Sequence, residues 1–401
     1  MPNGYLPIGE RVRYRRRARG LSQLRLAGLV DRTEDWVSKV ERGEIPVDRI
    51  SVLLKLAEAL KVPLSDLLGE QNLPSEQAAA LEETAGLRRV LSTVPALAGT
   101  EPRGLAALEA DLNATTRLRT QARYAAAAAA LPRLITDLEV TASGSQGDQR
   151  AAALGLLSRA YGLAVATLVR YGEHDLAWVA ADRGSYAAEP TGNPVERALA
   201  AYRLALAFVG AGRLTEAIYV IEAALERAMV AAERSADLRA LRGALHLPLA
   251  IAQARRGDEG RANEALREAE QLAGGPGRRF VMAPDLQLAT QYSPANVLIH
   301  KVSVAVDLGD AGQALSLAPA VDPSELSVSR YSRYLIDVAM AHNYRRDNDQ
   351  MVGTLLRVER IAPEQLAHFP LVRELLYAAL RRERGPVNAE LHGLAERVGA
   401  L

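Results

Sequence analysis

The chain has 401 residues, of which 49% are apolar and 24% charged; these are ordinary globular proportions and exclude wholesale disorder or a fibre. It contains no cysteine, which removes disulfide scaffolds, thiolate metal sites and cysteine nucleophiles. The net charge is +1, but residues 1–69 carry 13 Lys and Arg against 9 Asp and Glu, so a basic head precedes a slightly acidic body.

The opening residues lack the apolar core of a signal peptide, and no stretch reads as a membrane span; the expectation is a soluble, cytoplasmic protein with no membrane partner. Five short helices are predicted over residues 6–68. The first runs Ile8–Arg19 and stops at Gly20, and six arginines fall between Arg11 and Arg19. Ser22 caps a second helix, and Asp31-Arg32-Thr33 makes a turn. Thr33 caps a third helix, Glu34–Glu41, which Gly43 terminates. A fourth opens at Asp48 or Ser51, and Pro63 starts a fifth over Leu64–Leu68. Residues 1–69 are therefore expected to form one domain, 70–76 (part of the polar Gly69–Ser75 stretch with Pro74) a linker, and 77–401 a second domain.

Beyond the linker, apolar residues recur at helical spacing and no strand pattern emerges. Helices are expected over Ala78–Val94 and Thr116–Val140. Further on, segments pair around short turns at Gly172, Gly212, Gly257 and Gly309, which are separated by 40, 45 and 52 residues; Arg345–Asn348 takes the same place without glycine. The strongest loop breaks are Glu189–Pro194 and Gly274–Phe280. This is a helix-hairpin repeat that resembles tetratricopeptide repeats (TPR), although the 34-residue period of that family is not kept. Such arrays present the first helix of each hairpin on a concave face. Tyr292, Asn296 and His300 share one helix face, as do Arg330, Tyr334 and Asp337, and these six are the candidate lining of a ligand groove.

The run Arg16…Gly20-Leu21-Ser22-Gln23…Leu26-Ala27…Thr33…Val37-Ser38-Lys39-Val40-Glu41-Arg42-Gly43, with Leu56-Ala57…Leu60-Lys61-Val62, resembles the Cro/lambda-repressor (XRE) class of helix-turn-helix domains. Asp31 stands where that family often has glycine, and Arg32 where it is usually apolar. The resemblance implies base contacts from Glu34, Asp35 and Lys39, a phosphate contact from Gln23, and a structural ion pair between Arg16 and Glu41. Arg25 and Arg42 read as backbone clamps, and Arg32, Thr33 and Ser38 complete the DNA-facing set. The major groove, about 12 Å wide, admits one helix whose first residues reach base edges. Glu34 and Asp35 have a second reading, as complements to the helix dipole.

An XRE-type head on a TPR-like body is similar to regulators whose helical repeats sense small peptides; the phrase Tyr292–His300 separately resembles one common in long actinobacterial helix-turn-helix regulators, a resemblance that implies no ligand. The expected function is that of a transcriptional regulator binding double-stranded DNA as a homodimer, with a peptide or small-molecule effector. The alternative is an interaction scaffold whose solenoid recruits a protein and whose DNA binding is incidental. Phosphate-loop, H-E-x-x-H, G-x-S-x-G and G-x-G-x-x-G motifs are all missing from the sequence, so the expectation is no enzyme and no cofactor or metal. The fold class expected is all-α: a five-helix head followed by a TPR-like α-solenoid.

Overall fold

The structure, a computed structural model, describes residues 7–45, 47, 49–68, 74–93, 102–232, 235–274, 281–367, 369–383 and 388–400. Among these residues every regular element is helical. The head contains α1 (Ile8–Ala18), α2 (Gln23–Leu29), α3 (Glu34–Glu41), α4 (Ile50–Leu60) and α5 (Leu64–Leu68). Then come α6 (Pro74–Ser92), α7 (Leu105–Thr120), α8 (Tyr124–Gly144), α9 (Gly147–Leu168), α10 (His174–Ala188), α11 (Pro194–Gly210), α12 (Leu214–Ala232), α13 (Ala236–Arg256), α14 (Glu259–Leu272) and α15 (Pro284–Thr290). The chain continues with α16 (Pro294–Leu308), α17 (Ala311–Leu317), α18 (Val328–Tyr344), α19 (Asn348–Ile361), α20 (Pro363–Ala367), α21 (Pro370–Arg382) and α22 (Ala389–Arg397).

The all-α reading holds, and the body is a helical solenoid. Two boundaries differ from expectation. The chain divides into one unit of residues 1–79, 302–320 and 331–401, and another of 80–301 and 321–330, so the head groups with the C-terminal hairpins rather than standing alone. Most of the expected 70–76 linker, and residues 275–280 of the expected loop, lie outside the described residues. The single helix expected over Thr116–Val140 is two helices, α7 and α8. Ala122 breaks them with φ of 59°, a left-handed residue without the glycine that would have announced it.

The hairpin turns share one geometry. Gly172, Gly212, Gly257 and Gly309 have φ between 72° and 82°, and Arg346 takes the same place at 60°. In each turn the amide of the next residue donates to a carbonyl five residues back: Glu173 to Leu168, Arg213 to Phe208, Asp258 to Gln253, Asp310 to Ala305 and Asp347 to His342. Arg123 to Leu118 repeats it at Ala122. This is the Schellman closure of a helix C-terminus. Asp258, Asp310 and Asp347 then cap the following helix by accepting the amides of Arg261, Gln313 and Gln350. In the second unit the first helices α7, α9, α11 and α13 touch in succession, which is how stacked hairpins bury a continuous core. α9 is long and apolar enough to cross a membrane, but most of it is buried inside this stack.

The stack also half-buries a histidine. Burial first, then the nearby Arg242 charge, push His246 on α13 from 6.5 down to about 4. Between these values the unfolded chain holds the proton and the folded chain does not. Its stability contribution is therefore complete above pH 6.5 and is lost as the pH falls towards about 4. Unfolding midpoints should drop across that window and drop less in His246→Gln, measured by circular dichroism at fixed ionic strength; identical pH profiles would remove His246 as the cause.

Candidate nucleic-acid interface

The head closes on Ile8, Val12, Leu26, Val37, Val40, Leu53, Leu56, Leu60 and Leu67, all buried. The caps read from the sequence are present: Ser22 Oγ accepts the Arg25 amide at 3.0 Å and Thr33 Oγ1 the Trp36 amide at 3.2 Å. Asp31 adopts φ of 54°, so the turn between α2 and α3 forms without the family's glycine. α4 begins at Ile50 with no side-chain cap, between the two starts expected.

One ion pair fixes α1 against α3. Arg16 Nε donates to Glu41 Oε1 at 2.5 Å and Nη2 to Oε2 at 2.9 Å, with both residues buried. Arg16 Nη1 also donates to the Leu21 carbonyl at 2.6 Å. The hydrogen-bonded carboxylate holds the Arg16 guanidinium above its ordinary range. Gln23 Nε2 donates to Glu41 Oε2 at 2.8 Å, so the residue expected at a phosphate is oriented by the same carboxylate.

The rest of the expected set sits around α3. Gln23, Glu34, Ser38 and Arg42 line a hollow of about 450 Å³ together with Arg13, Arg16, Arg17 and Glu41. Arg42 donates to Ser38 Oγ and pairs with Glu44 at 2.5 Å. Lys39 Nζ lies 2.6 Å from Asp35 Oδ2, so these two present a neutral pair one turn apart. The Arg32 guanidinium lies 5.6 Å from the Trp36 ring centroid. Thr33, Glu34, Asp35 and Arg25 are exposed; Arg25, Arg32, Thr33, Asp35 and Lys39 are not part of the hollow.

The arginine run of α1 is not one charged face. Arg13 and Arg17 are exposed. Arg15 pairs with Asp66 at 2.7 Å, and Arg19 donates to the Ala59 carbonyl. Arg11 is buried with its Nη2 3.5 Å from Glu374 of α21. The same carboxylate accepts the Ile8 amide at 2.9 Å. A second hollow, of about 1040 Å³, brings Arg32, Trp36 and Arg49 together with Tyr344, Arg346 and Arg381. Arg49 stacks on the Tyr344 ring at 5.3 Å and lies so close to Gly309 that a Cβ there would meet its guanidinium at 2.3 Å. Sequence reasoning missed these partners because each lies about 260 residues or more away along the chain.

The six residues expected to line a groove have mostly internal partners. Tyr292 is fully buried, and its hydroxyl donates to the Ala269 carbonyl at 2.5 Å. Asn296 is fully buried with Nδ2 bonded to the Gln291 carbonyl at 2.6 Å, and His300 Nδ1 lies 2.7 Å from the Asn296 carbonyl. Tyr334 bonds the Ala318 carbonyl at 2.9 Å, and burial pushes its phenol up to about 12. Asp337 is buried and pairs with Arg333 at 2.9 Å. Asn296 and His300 share α16 and Tyr334 and Asp337 share α18, whereas Tyr292 lies in the loop before α16; of these five, all but the half-buried His300 are buried. Arg330 differs: Nη2 donates to the Thr290 carbonyl at 3.2 Å, while its buried Nε has no acceptor. No group of three or more His, Asp or Glu side chains that could hold a metal exists among the described residues.

Comparison with known proteins agrees with the head. None of the curated proteins compared matches the chain. The crystal structure of Bacillus thuringiensis PlcR in complex with the peptide PapR7 and DNA aligns over 66% of this chain and 93% of that one, at 16% identity and a TM-score of 0.29, too loose a superposition to transfer any geometry. Residues 7–68, the stretch that forms α1 to α5, match the sequence profile of a helix-turn-helix domain family.

Proposed function

We propose that this protein is a non-enzymatic transcriptional regulator of the XRE type that reads double-stranded DNA with α3 and responds to an effector through its helical body. The observation that carries the reading is the α2–turn–α3 unit: two side-chain caps, a left-handed Asp31 and a buried Arg16–Glu41 pair that together fix an exposed recognition surface. Around it, Arg13, Arg17, Arg25 and Arg42 supply exposed positive charge, which suits phosphates. Thr33, Glu34, Asp35, Ser38 and Lys39 are the base-reading candidates, and Gln23 a phosphate contact. The Asp35–Lys39 pair suppresses non-specific attraction and favours sites where a cytosine amino group or guanine edge replaces the partner. Binding as a homodimer to two half-sites follows from the small footprint of one head.

Selection of bound fragments from random DNA by the full chain tests the reading; recovery of no enriched sequence at physiological salt would defeat it and favour a scaffold. On a selected site, Lys39→Ala should weaken binding by about 1–3 kcal/mol and much less on a scrambled site, whereas Gln23→Ala should weaken both alike. Equal losses for Lys39→Ala on both sequences would show that Lys39 reads no base.

A further inference from the structure

In the second unit three arginines from different helices, none in an ion pair with a carboxylate among the described residues, gather at the end of α15. Arg203, from α11, is buried and donates from Nη2 to the Ala289 carbonyl at 2.5 Å. Arg330, from α18, donates to the neighbouring Thr290 carbonyl at 3.2 Å. Arg119 is half-buried on α7, which packs against the same α15, and its charge interacts with those of both Arg203 and Arg330. The Nε atoms of Arg119 and Arg330 are buried with no acceptor. Two carboxylates of the neighbouring helix surfaces, Glu196 on α11 and Asp285 on α15, are both held by Arg159.

Two of the three charges meet the last carbonyls of α15, and Arg203 also lies 5.4 Å from the Tyr202 ring centroid. A helix C-terminus is worth about half a negative charge, against three full positive ones. Buried donors without partners and buried like charges are both costly, and native structures retain them where a ligand completes the set. Guanidiniums present forked donors that match planar or tetrahedral oxyanions.

We propose that Arg119, Arg203 and Arg330 form an oxyanion site that takes the carboxylate or phosphate of a small effector. Its consequence for DNA rests on the regulator reading above; the binding itself does not. Burial and the two like charges push Arg119 down to about 9, the direction expected of a cation whose folded environment opposes its charge. At neutral pH that charge weakens the empty fold, and an anion restores the loss.

The test uses the full chain in thermal unfolding at constant ionic strength, with sodium phosphate, N-acetyl-trialanine and its C-terminal amide as probes and sodium chloride as reference. Phosphate or the free-carboxylate peptide should raise the midpoint saturably, and the amide should not; which of the two acts at lower concentration identifies the source of the oxyanion. Arg119→Met should weaken the response at least tenfold while leaving the unliganded midpoint equal or higher, an outcome a structural arginine would not give. The proposal is overturned if neither anion exceeds chloride, or if Arg119→Met lowers the unliganded midpoint and leaves the response intact. Failure of the full chain to select DNA would remove the regulator reading and leave this result standing.

Discussion

Gly9→Ala should destabilise the head by about 3 kcal/mol, the upper range for forcing a methyl into a full core. A Cβ on Gly9 would sit 2.0 Å from the Val40 carbonyl oxygen and 3.1 Å from its carbon. Those are backbone atoms of α3, so no rotamer change relieves the contact. α1 cannot slide away either: Ile8 and Val12 on either side of Gly9 are fully buried, and the Ile8 amide is bonded to Glu374. Helix propensity alone predicts the opposite sign, a gain of about 1 kcal/mol for alanine. Gly28→Ala on α2 isolates that term, because a Cβ there meets nothing within 4 Å. The chain has two tryptophans, so denaturant unfolding followed by Trp36 fluorescence in a Trp178→Phe background reports on the head. Parallel gains for both variants would show that α1 and α3 are not in backbone contact.

Glu41→Ala should cost about 3–5 kcal/mol, the price of leaving one member of a buried ion pair alone. Three donors converge on this carboxylate: two from Arg16 and one from Gln23. Its removal strands the charge of Arg16, a residue that is 8% exposed. The Leu21 carbonyl still accepts from Arg16 but carries no full charge. Replacing both partners, Arg16→Met with Glu41→Leu, should recover much of the loss, since no buried charge then remains. DNA binding should not recover, because Gln23 loses the acceptor that aims it. Unfolding midpoints and operator binding of the single and double variants check both statements; a single-variant loss below about 1 kcal/mol would mean the pair is solvated and contributes as a surface bridge does.

The head was legible because its signals are local. A cap, a turn residue and an i, i+4 apolar step all act within a few residues, and α3 and α5 occupy the spans the sequence proposed, Glu34–Glu41 and Leu64–Leu68. The Arg16–Glu41 pair was legible only through family resemblance. The body was legible as hairpins where glycine marks the turn, and opaque at Ala122, where packing holds an ordinary residue left-handed. The surroundings of the six groove candidates were not legible for a different reason. Helical spacing says which side chains share a face, not whether that face meets solvent or another helix. Tyr292 shows this most clearly: it lies in the loop between α15 and α16, and its hydroxyl crosses so close to Gly243 of α13 that a Cβ there would lie 1.9 Å away. The cluster of Arg119, Arg203 and Arg330 had no signal in the sequence, because the lack of a carboxylate beside them is visible only once the neighbours are placed.

The bond from the Ile8 amide to Glu374 joins residues 366 positions apart, and Arg11 shares the same carboxylate. The helix-turn-helix head is thus completed by a codon 366 positions downstream of Ile8. A late nonsense or frameshift lesion that spared every residue up to α20 would still deprive α1 of its buried acceptor, and in a genetic screen it would score as a loss of operator binding. Heads grafted onto foreign bodies would carry the same defect unless a carboxylate equivalent to Glu374 were supplied with them.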